Sequence, residues 1–301
     1  MKSQKNKFFN IGYFADGNWA YQNLVKIFND KSINVKFICL RKKPDKKIKL
    51  LSKKKKIPCF IFKNVNNRNS IEKIKSYKCD YLISMSYDQI FGKKILSLMK
   101  NKIINCHAGL LPFYRGRNIL NWALVNGEKY FGVTTHLINY KIDEGNIIKQ
   151  IRIKISKFDT YKTLLKKAEI NCSSLLYLTI KTIQKGKFST FSQKKICREG
   201  SYFRKRNSQD EKIIWSKSAE EIYNLIRGIS NPGPNSKTII NKRVLRIKKS
   251  KIIKFKNMKK FKVGEIISKS KNHFIVNTGF GKIKILDWSP KLKLKSGQVF
   301  L

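Results

Sequence analysis

Short apolar runs alternate with helical stretches through the first third of the chain, and this order constrains the sheet that can form. Five runs are predicted as strands: Phe8–Phe14, Val35–Leu40, Pro58–Phe62, Tyr81–Met85 and Lys102–Asn105. Between the first two, apolar residues from Ala20 to Phe28 recur at helical spacing. Strands separated by helices favour a parallel sheet with helices on both faces. Such sheets bind ligands beyond the carboxyl ends of their strands, where we expect Asn105, Cys106 and His107.

The pattern changes in the middle of the chain. Residues 127–150 are predicted as further strands, with turns at Gly132 and at 143–145. Thr160–Ile183 has the length and apolar content of a long helix. Residues 186–212 show no periodicity, and we expect a linker that lies on the surface.

A second unit is predicted after this linker. Ser216 or Ser218 can cap a helix that ends before the Asn-Pro-Gly-Pro breaker at 231–234. From Ser236 onward, short strand patterns recur between turns, which predicts a small all-β barrel. The predicted domains are therefore residues 1–188, a linker over 189–212 and a barrel domain over 213–301.

The charge balance is strongly basic, with 67 Lys and Arg against 18 Asp and Glu and a formal net charge of +49. Such a field attracts phosphates, nucleic acids and anionic substrates. Lys, Ile and Asn are also enriched throughout the chain, including solvated segments such as 42–56. A coding bias, an anionic substrate and a nucleic-acid surface therefore all remain open explanations of the charge.

The six cysteines show neither a C-x-x-C pair nor metal-ligand spacing, so no metal site is predicted. Without a disulfide framework, a reducing compartment is favoured. The basic start of the chain has an apolar stretch that Asp16 and Gly17 interrupt, which is not the pattern of a signal peptide. No window approaches the roughly 20 apolar residues of a membrane helix. We expect a cytoplasmic protein with no membrane partner.

Residues 104–150 carry the most informative motifs of the chain. In order they are N-x-H at 105–107, L-L-P-x-Y-R-G at 110–116, G-V-T-x-H at 132–136 and I-D-x-G at 142–145. This ordered set resembles the formyltransferases that use 10-formyltetrahydrofolate. That family includes methionyl-tRNA formyltransferase, glycinamide ribonucleotide transformylase and the sugar-nucleotide N-formyltransferases. A weaker resemblance extends over nearly the whole chain.

The chemistry of formyl transfer explains why these residue types are needed. An amine attacks the formyl carbon, and the carbonyl oxygen becomes negative. Donors already aimed at that oxygen stabilise it, by about 3–4 kcal/mol for one donor. Asn105 offers an amide N–H and His107 an imidazole N–H, and alternation along a strand puts both on one side. We expect Asp143 to bond the other imidazole nitrogen and to relay the proton lost by the amine. His136 is expected to pack or bond locally.

The resemblance implies an α/β fold: a Rossmann-like catalytic domain with a mostly parallel sheet, followed by a small C-terminal OB-like β-barrel. It also implies that 10-formyltetrahydrofolate lies near two loops and the segment after N-x-H. The implied cofactor-binding residues are Gln89, Ile90, Phe91, Gly109, Leu110, Leu111, Pro112, Asn139, Tyr140, Lys141 and Ile142. Arg117 resembles a position that contacts substrate, since a guanidinium can pair with a phosphate or with the folate glutamate.

A nucleotide-linked aminosugar is the favoured acceptor. The segments GYFADGNWA at 12–20, RGRNILNWALVNGE at 115–128 and NPGP at 231–234 look like those of sugar-type relatives. Transfer-RNA-type relatives carry a long basic loop with glycine after the second strand, whereas residues 41–58 here are shorter, lack glycine and are predicted to be helical. Initiator methionyl-tRNA remains the alternative acceptor because this segment is basic. A homodimer is also possible.

A non-catalytic RNA-binding protein is an alternative of a different class. An OB-type barrel is a common platform for single strands if aromatic side chains alternate with lysines on one face. The barrel region provides such aromatics: Phe255, Phe261, Phe274, Phe280 and Trp288. A small hydrophobic core would need the same residues, so the pattern alone does not distinguish the two uses.

Overall fold

The computed structural model describes residues 8–186, 188–253 and 261–301. The first seven residues and Phe255, both used in the sequence analysis, lie outside them. The strands are β1 Phe9–Ala15, β2 Ile33–Leu40, β3 Cys59–Phe60, β4 Tyr81–Met85, β5 Ile103–His107, β6 Arg115–Gly116, β7 Tyr130–Leu137, β8 Ile147–Lys154, β9 Tyr202–Phe203, β10 Ser236–Ile240, β11 Arg243–Ile253, β12 Ile266–Ser270, β13 His273–Asn277 and β14 Lys282–Ser289. The helices are α1 Gly17–Phe28, α2 Lys46–Lys54, α3 Arg68–Ser76, α4 Lys93–Leu98, α5 Ile119–Val125, α6 Tyr161–Gln184 and α7 Ala219–Gly228, with single 3-10 turns at Gln193–Lys195 and Ser208–Glu211.

The chain forms two compact units, which are not contiguous in sequence. Of the described residues, the first unit comprises those within 1–116, 132–153 and 167–202, and the second those within 117–131, 154–166 and 203–301. The contiguous boundaries at 188 and 212 stay a prediction. Within the stretch expected to be a surface linker, Gln193 is only 2% exposed.

The first unit contains a seven-stranded sheet in the order β3-β2-β1-β4-β5-β7-β8. The pairs among β1 to β5 are parallel, and β7 runs antiparallel to β5. The predicted mostly parallel sheet of an α/β domain is confirmed. Phe14 contacts Phe37 and Phe91 edge-on beneath this sheet, with ring centroids 5.7 and 4.9 Å apart. This core supports the strand ends at which polar side chains gather.

Gly132 was predicted as a turn, and this prediction is wrong because it lies inside β7. A Cβ at this position would lie 2.6 Å from Leu110 Cα. The glycine is therefore needed for the close approach of the loop that contains Leu110, and not to reverse the chain.

The second unit contains a five-stranded antiparallel sheet in the order β10-β11-β14-β13-β12. Ser218 caps α7 in a capping box with Glu221, as one of the two serines was predicted to do. At the chain end, Leu301 N–H donates to Ile239 O at 3.0 Å, and Gln298 O accepts from Ile266 N–H at 2.8 Å. The last residues thus join both edge strands and complete the predicted small barrel.

Candidate active site

Asn105 and His136 lie directly opposite each other on β5 and β7. His136 Nδ1 is 2.8 Å from Leu137 O, and a carbonyl only accepts, so Nδ1 carries the hydrogen. His136 Nε2 lies 3.2 Å from Asn105 Nδ2 and 3.5 Å from Asp143 Oδ1. The Asn105 amide nitrogen is thus placed beside this ring, and its hydrogens can be donated to a ligand. His136 therefore bonds locally, and its partner is one of the expected catalytic residues.

His107 is two residues beyond Asn105 on the same strand, so both side chains project to the same side of β5. Its Nε2 donates to Tyr114 O at 2.6 Å. Its Nδ1 lies 3.6 Å from Asp143 Oδ2. Asp143 was expected to bond the imidazole nitrogen that does not donate to substrate. In the structure Nε2 donates to the Tyr114 carbonyl, and Asp143 faces the other ring nitrogen, Nδ1.

Asp143 lies between the two imidazole rings. Its Oδ2 accepts from Gly116 N–H at 2.9 Å, and its Oδ1 is 3.5 Å from His136 Nε2. The backbone at Asp143 has a φ of 54°, in the left-handed region that is uncommon for a residue with a side chain. The three expected catalytic side chains, Asn105, His107 and Asp143, therefore lie together with His136 in one cluster.

Electrostatics keeps Asp143 ionised. Burial acts to raise the pKa of this carboxyl, because desolvation disfavours its charged form. The imidazoles of His107 and His136 and the Gly116 N–H outweigh that effect, and the net result is a pKa well below the ordinary value. The site thus holds a fixed negative charge beside His107.

This depressed pKa gives a testable dependence of stability on pH. A carboxyl whose folded-state pKa is lowered contributes stability above its unfolded pKa of about 4, and this contribution is lost as the pH falls toward the folded value. The difference in unfolding free energy between wild type and Asp143→Asn should therefore shift in favour of the variant below about pH 4. Urea unfolding at several pH values between 3 and 7 measures it. A difference that is constant with pH would show that Asp143 is not held in this way.

The loop that follows His107 is held from one side by two polar side chains. Thr134 Oγ1 donates to Gly109 O at 2.7 Å and accepts from Gln150 Nε2 at 2.8 Å. Gln150 Nε2 also donates to Leu111 O at 2.8 Å. Residues 109–112, expected to contact the cofactor, therefore form a fixed wall next to His107.

In the loop after β4, two of the three expected cofactor residues make contacts within the protein. Gln89 accepts from Val65 N–H and donates to Phe62 O, both at 2.8 Å. Phe91 is buried in the core, whereas Ile90 is 61% exposed. Of these three expected cofactor residues, Ile90 is thus the one whose side chain faces solvent.

The segment 139–142 leads from β7 to Asp143. Asn139 Oδ1 accepts from Lys141 N–H at 2.9 Å, which forms a local turn. Tyr140 and Ile142 are exposed large hydrophobic residues on either side of Lys141. Exposed apolar side chains beside a buried carboxylate are suited to covering the face of an aromatic ligand.

Two residues of the neighbourhood were missed in the sequence analysis. Arg115 is buried, while Arg117, the expected substrate contact, is exposed. Gln193 contacts both Arg115 and the loop of Asp143. The Y-R-G motif could have pointed to Arg115 as well as Arg117, but nothing in the aperiodic sequence around Gln193 distinguishes it.

Within residues 8–186, 188–253 and 261–301, no group of three or more His, Cys, Asp or Glu side chains is arranged to hold a metal ion. None of the helices in these described ranges is both long and apolar enough to span a membrane.

Comparisons with known proteins match both parts of the chain. A family described as formyl transferase matches residues 11–180, and one described as formyl transferase, C-terminal domain, matches residues 205–299. Methionyl-tRNA formyltransferase of Halothermothrix orenii is 31% identical over 92% of this chain and 91% of its own length. The bifunctional polymyxin resistance protein ArnA of Wigglesworthia glossinidia brevipalpis is 41% identical over 68% of this chain, which spans only 31% of that relative.

Two solved structures have a similar fold. WlaRD, a sugar 3N-formyl transferase solved in the presence of dTDP and 5-N-formyl-THF, has a TM-score of 0.73 at 24% identity, covering 95% of this chain and 100% of that one. The N-formyltransferase from Helicobacter canadensis has a TM-score of 0.69 at 23% identity, covering 93% and 99%. At these identities the likeness concerns the fold.

Proposed function

The chain belongs to the formyl transferase family, and we propose that it acts in the cytoplasm to transfer a formyl group from 10-formyltetrahydrofolate to the amino group of a nucleotide-linked aminosugar. The observation that carries this proposal is the grouping of Asn105, His107 and Asp143 at the end of β5, with an ionised carboxylate 3.6 Å from the imidazole. That arrangement provides donors and a balancing charge for an oxygen that becomes negative.

Bound 10-formyltetrahydrofolate supplies the formyl carbon that the amine attacks. Asn105 Nδ2 lies beside His136 and offers an N–H to the formyl oxygen. His107 keeps its Nε2 hydrogen on Tyr114 O and donates from Nδ1 when protonated. The Asp143 carboxylate stabilises that protonated imidazole.

The lowered pKa of Asp143 also indicates which of its two expected roles, stabilising His107 or relaying the amine proton, it is suited to. A carboxylate of low pKa is a weak proton acceptor, so Asp143 is better suited to holding charge than to removing the proton of the amine. Of the two roles expected for it, stabilising His107 is the one this environment favours. The amine proton then leaves through water.

The residues around the cluster fit a folate. The loops after β4 and β7 present the apolar side chains of Ile90, Tyr140 and Ile142. Backbone groups of residues 109–112 lie next to His107 in a segment that Thr134 and Gln150 hold in place. An apolar lining with a few fixed polar groups is typical of a cofactor site.

The choice of a sugar acceptor is supported by the basic segment after β2. Lys46–Lys54 forms α2, whose N-terminus is capped by the Asp45 side chain on Lys47 N–H. The helix predicted in this segment is therefore present, and it supports the acceptor favoured from the sequence. Methionyl-tRNA remains the second candidate, because the match to the Halothermothrix orenii enzyme covers 92% of this chain.

The non-catalytic RNA-binding alternative loses support in the barrel. Phe274 and Trp288 contact each other at 4.9 Å and are buried in the core. Phe280 is 82% exposed and can stack on a base. The two core aromatics are therefore used for stability, and a continuous stacking platform would need them on the surface.

An acceptor panel tests the proposal. We expect formyl transfer from 10-formyltetrahydrofolate to one or more nucleotide-linked aminosugars, measured by release of tetrahydrofolate and by mass spectrometry of the product. The same assay with initiator methionyl-tRNA should show little transfer, and a catalytically efficient, steeply salt-dependent reaction with that tRNA would instead establish the second candidate. Salt-sensitive RNA binding with no transfer to any amine would establish the RNA-binding alternative.

A further inference from the structure

We propose that Gln193 and Arg115 act as positioning residues that set the Asp143 carboxylate against His107. The proposal rests on the proposed function, because it assigns these residues to the same reaction. Neither residue is one of the expected catalytic or binding residues.

Gln193 is held from one side and holds the Asp143 loop from the other. Its Oε1 accepts from Arg115 Nε at 3.1 Å and from Arg115 Nη2 at 2.9 Å. Because both guanidinium donors meet this oxygen, the amide nitrogen must point the opposite way. Nε2 donates to Asp143 O at 2.7 Å and to Gly145 O at 2.8 Å.

Arg115 anchors this amide. Its third donor, Nη1, bonds Glu199 O at 3.0 Å and lies 3.6 Å from Glu144 Oε1. The planar guanidinium therefore contacts three partners in fixed directions, which a lysine could not reproduce. The next residue, Gly116, donates its backbone N–H to Asp143 Oδ2.

The Asp143 turn needs this support because its backbone is in a disfavoured conformation. Asp143 has a φ of 54°, and such positions persist when surrounding contacts hold them. A Cβ at Gly145 would collide with Leu137 O, so the turn also approaches β7 closely. The carbonyls of Asp143 and Gly145, on either side of Glu144, are the two that Gln193 binds. One amide thus fixes the turn that aims the carboxylate.

Gln193→Leu tests the proposal, with Gln184→Leu as the matched control. Gln184 also donates to a backbone carbonyl, Ser32 O at 3.0 Å, but on α6. We expect Gln193→Leu to lower kcat about 100-fold, as a misplacement of roughly 1 Å does, with KM values changed far less. Gln184→Leu should leave kcat unchanged.

Imidazole NMR gives a readout that does not depend on activity. The chain has three histidines, so their resonances can be assigned by single substitutions. Gln193→Leu should shift the ring resonances of His107 and His136 and leave those of His273, on β13, in place. A purely destabilising effect would leave all three at their native positions in the folded fraction.

Gln193→Glu separates the bond accepted from Arg115 from the bonds donated to the Asp143 turn. It also replaces the leucine variant as the test if that variant does not fold. A carboxylate can still accept from Arg115 but cannot donate to the two carbonyls, so we expect a loss of kcat similar to that of Gln193→Leu. Near-normal kcat in Gln193→Glu would overturn the proposal. So would unmoved His107 resonances in Gln193→Leu, whether or not kcat falls. If wild type transfers formyl to no amine while these resonances still shift, the positioning role stands and the proposed function fails.

Discussion

Alanine in place of His107 is expected to lower kcat for formyl transfer by about 100- to 1000-fold, the usual loss for one preorganised donor at a developing oxyanion. His107 Nδ1 is the donor nearest the fixed charge of Asp143, at 3.6 Å. Asn105→Ala should cause a loss of similar size, because it removes the amide N–H. Asp143→Asn keeps the shape of the side chain but removes the charge that stabilises the protonated imidazole, so we expect a large loss here too.

Matched controls separate catalysis from folding. His273→Ala changes a histidine of β13 in the second unit, and kcat should stay within about twofold of wild type. Circular dichroism and thermal unfolding should show that the His107, Asn105 and Asp143 variants remain folded at the assay temperature. Near-normal turnover by a folded His107→Ala enzyme would show that the mechanism is wrong.

Gly109→Ala is the second change with a large expected effect. A Cβ at this position would collide with His107 Nε2 and with Tyr114 O, the two atoms of the hydrogen bond that orients the imidazole. The new methyl must displace the ring or the loop. We expect kcat to fall about 100-fold through misplacement of His107, and the unfolding free energy to fall by about 1–3 kcal/mol through overpacking.

Gly297→Ala is the control for this glycine. Its φ of 86° makes any side chain unfavourable, but a Cβ there would have open space around it. It should therefore lower stability through the backbone alone and leave kcat per folded molecule unchanged. If Gly109→Ala behaves in the same way, with normal turnover and only reduced stability, the predicted contact between Gly109 and the catalytic imidazole has no role in the reaction.

The fold could largely be predicted because its signals are local. Apolar runs bounded by turn residues gave β1, β2 and β4 to within two residues of their observed ends. The capping residue Ser218 and the breaker at 231–234 likewise bounded α7. Gly132 was misassigned because a glycine required by the close approach of a distant loop looks the same in sequence as a turn glycine. The predicted strand over 58–62 is only two residues long, Cys59–Phe60.

The site residues that belong to a sequence motif could be predicted. Those that are brought to the site only by folding could not. The N-x-H and I-D-x-G motifs indicated His107 and Asp143, and the structure places them 3.6 Å apart. Which imidazole nitrogen faces Asp143 depends on the Tyr114 carbonyl, a contact that no pattern encodes. Gln193 meets the Asp143 turn across 50 residues of sequence, so only the folded chain shows it.

The most direct test of the central claim is a single-turnover experiment with 10-formyltetrahydrofolate labelled with ¹³C in the formyl group. With wild-type enzyme and an aminosugar nucleotide that serves as acceptor, the label should appear in a new formamide as an equal amount of tetrahydrofolate is released. The His107→Ala enzyme should leave the label on the folate over the same time. If the label stays on the folate with every amine, or if His107→Ala transfers it at the wild-type rate, then Asn105, His107 and Asp143 are not the residues of a formyl transfer site.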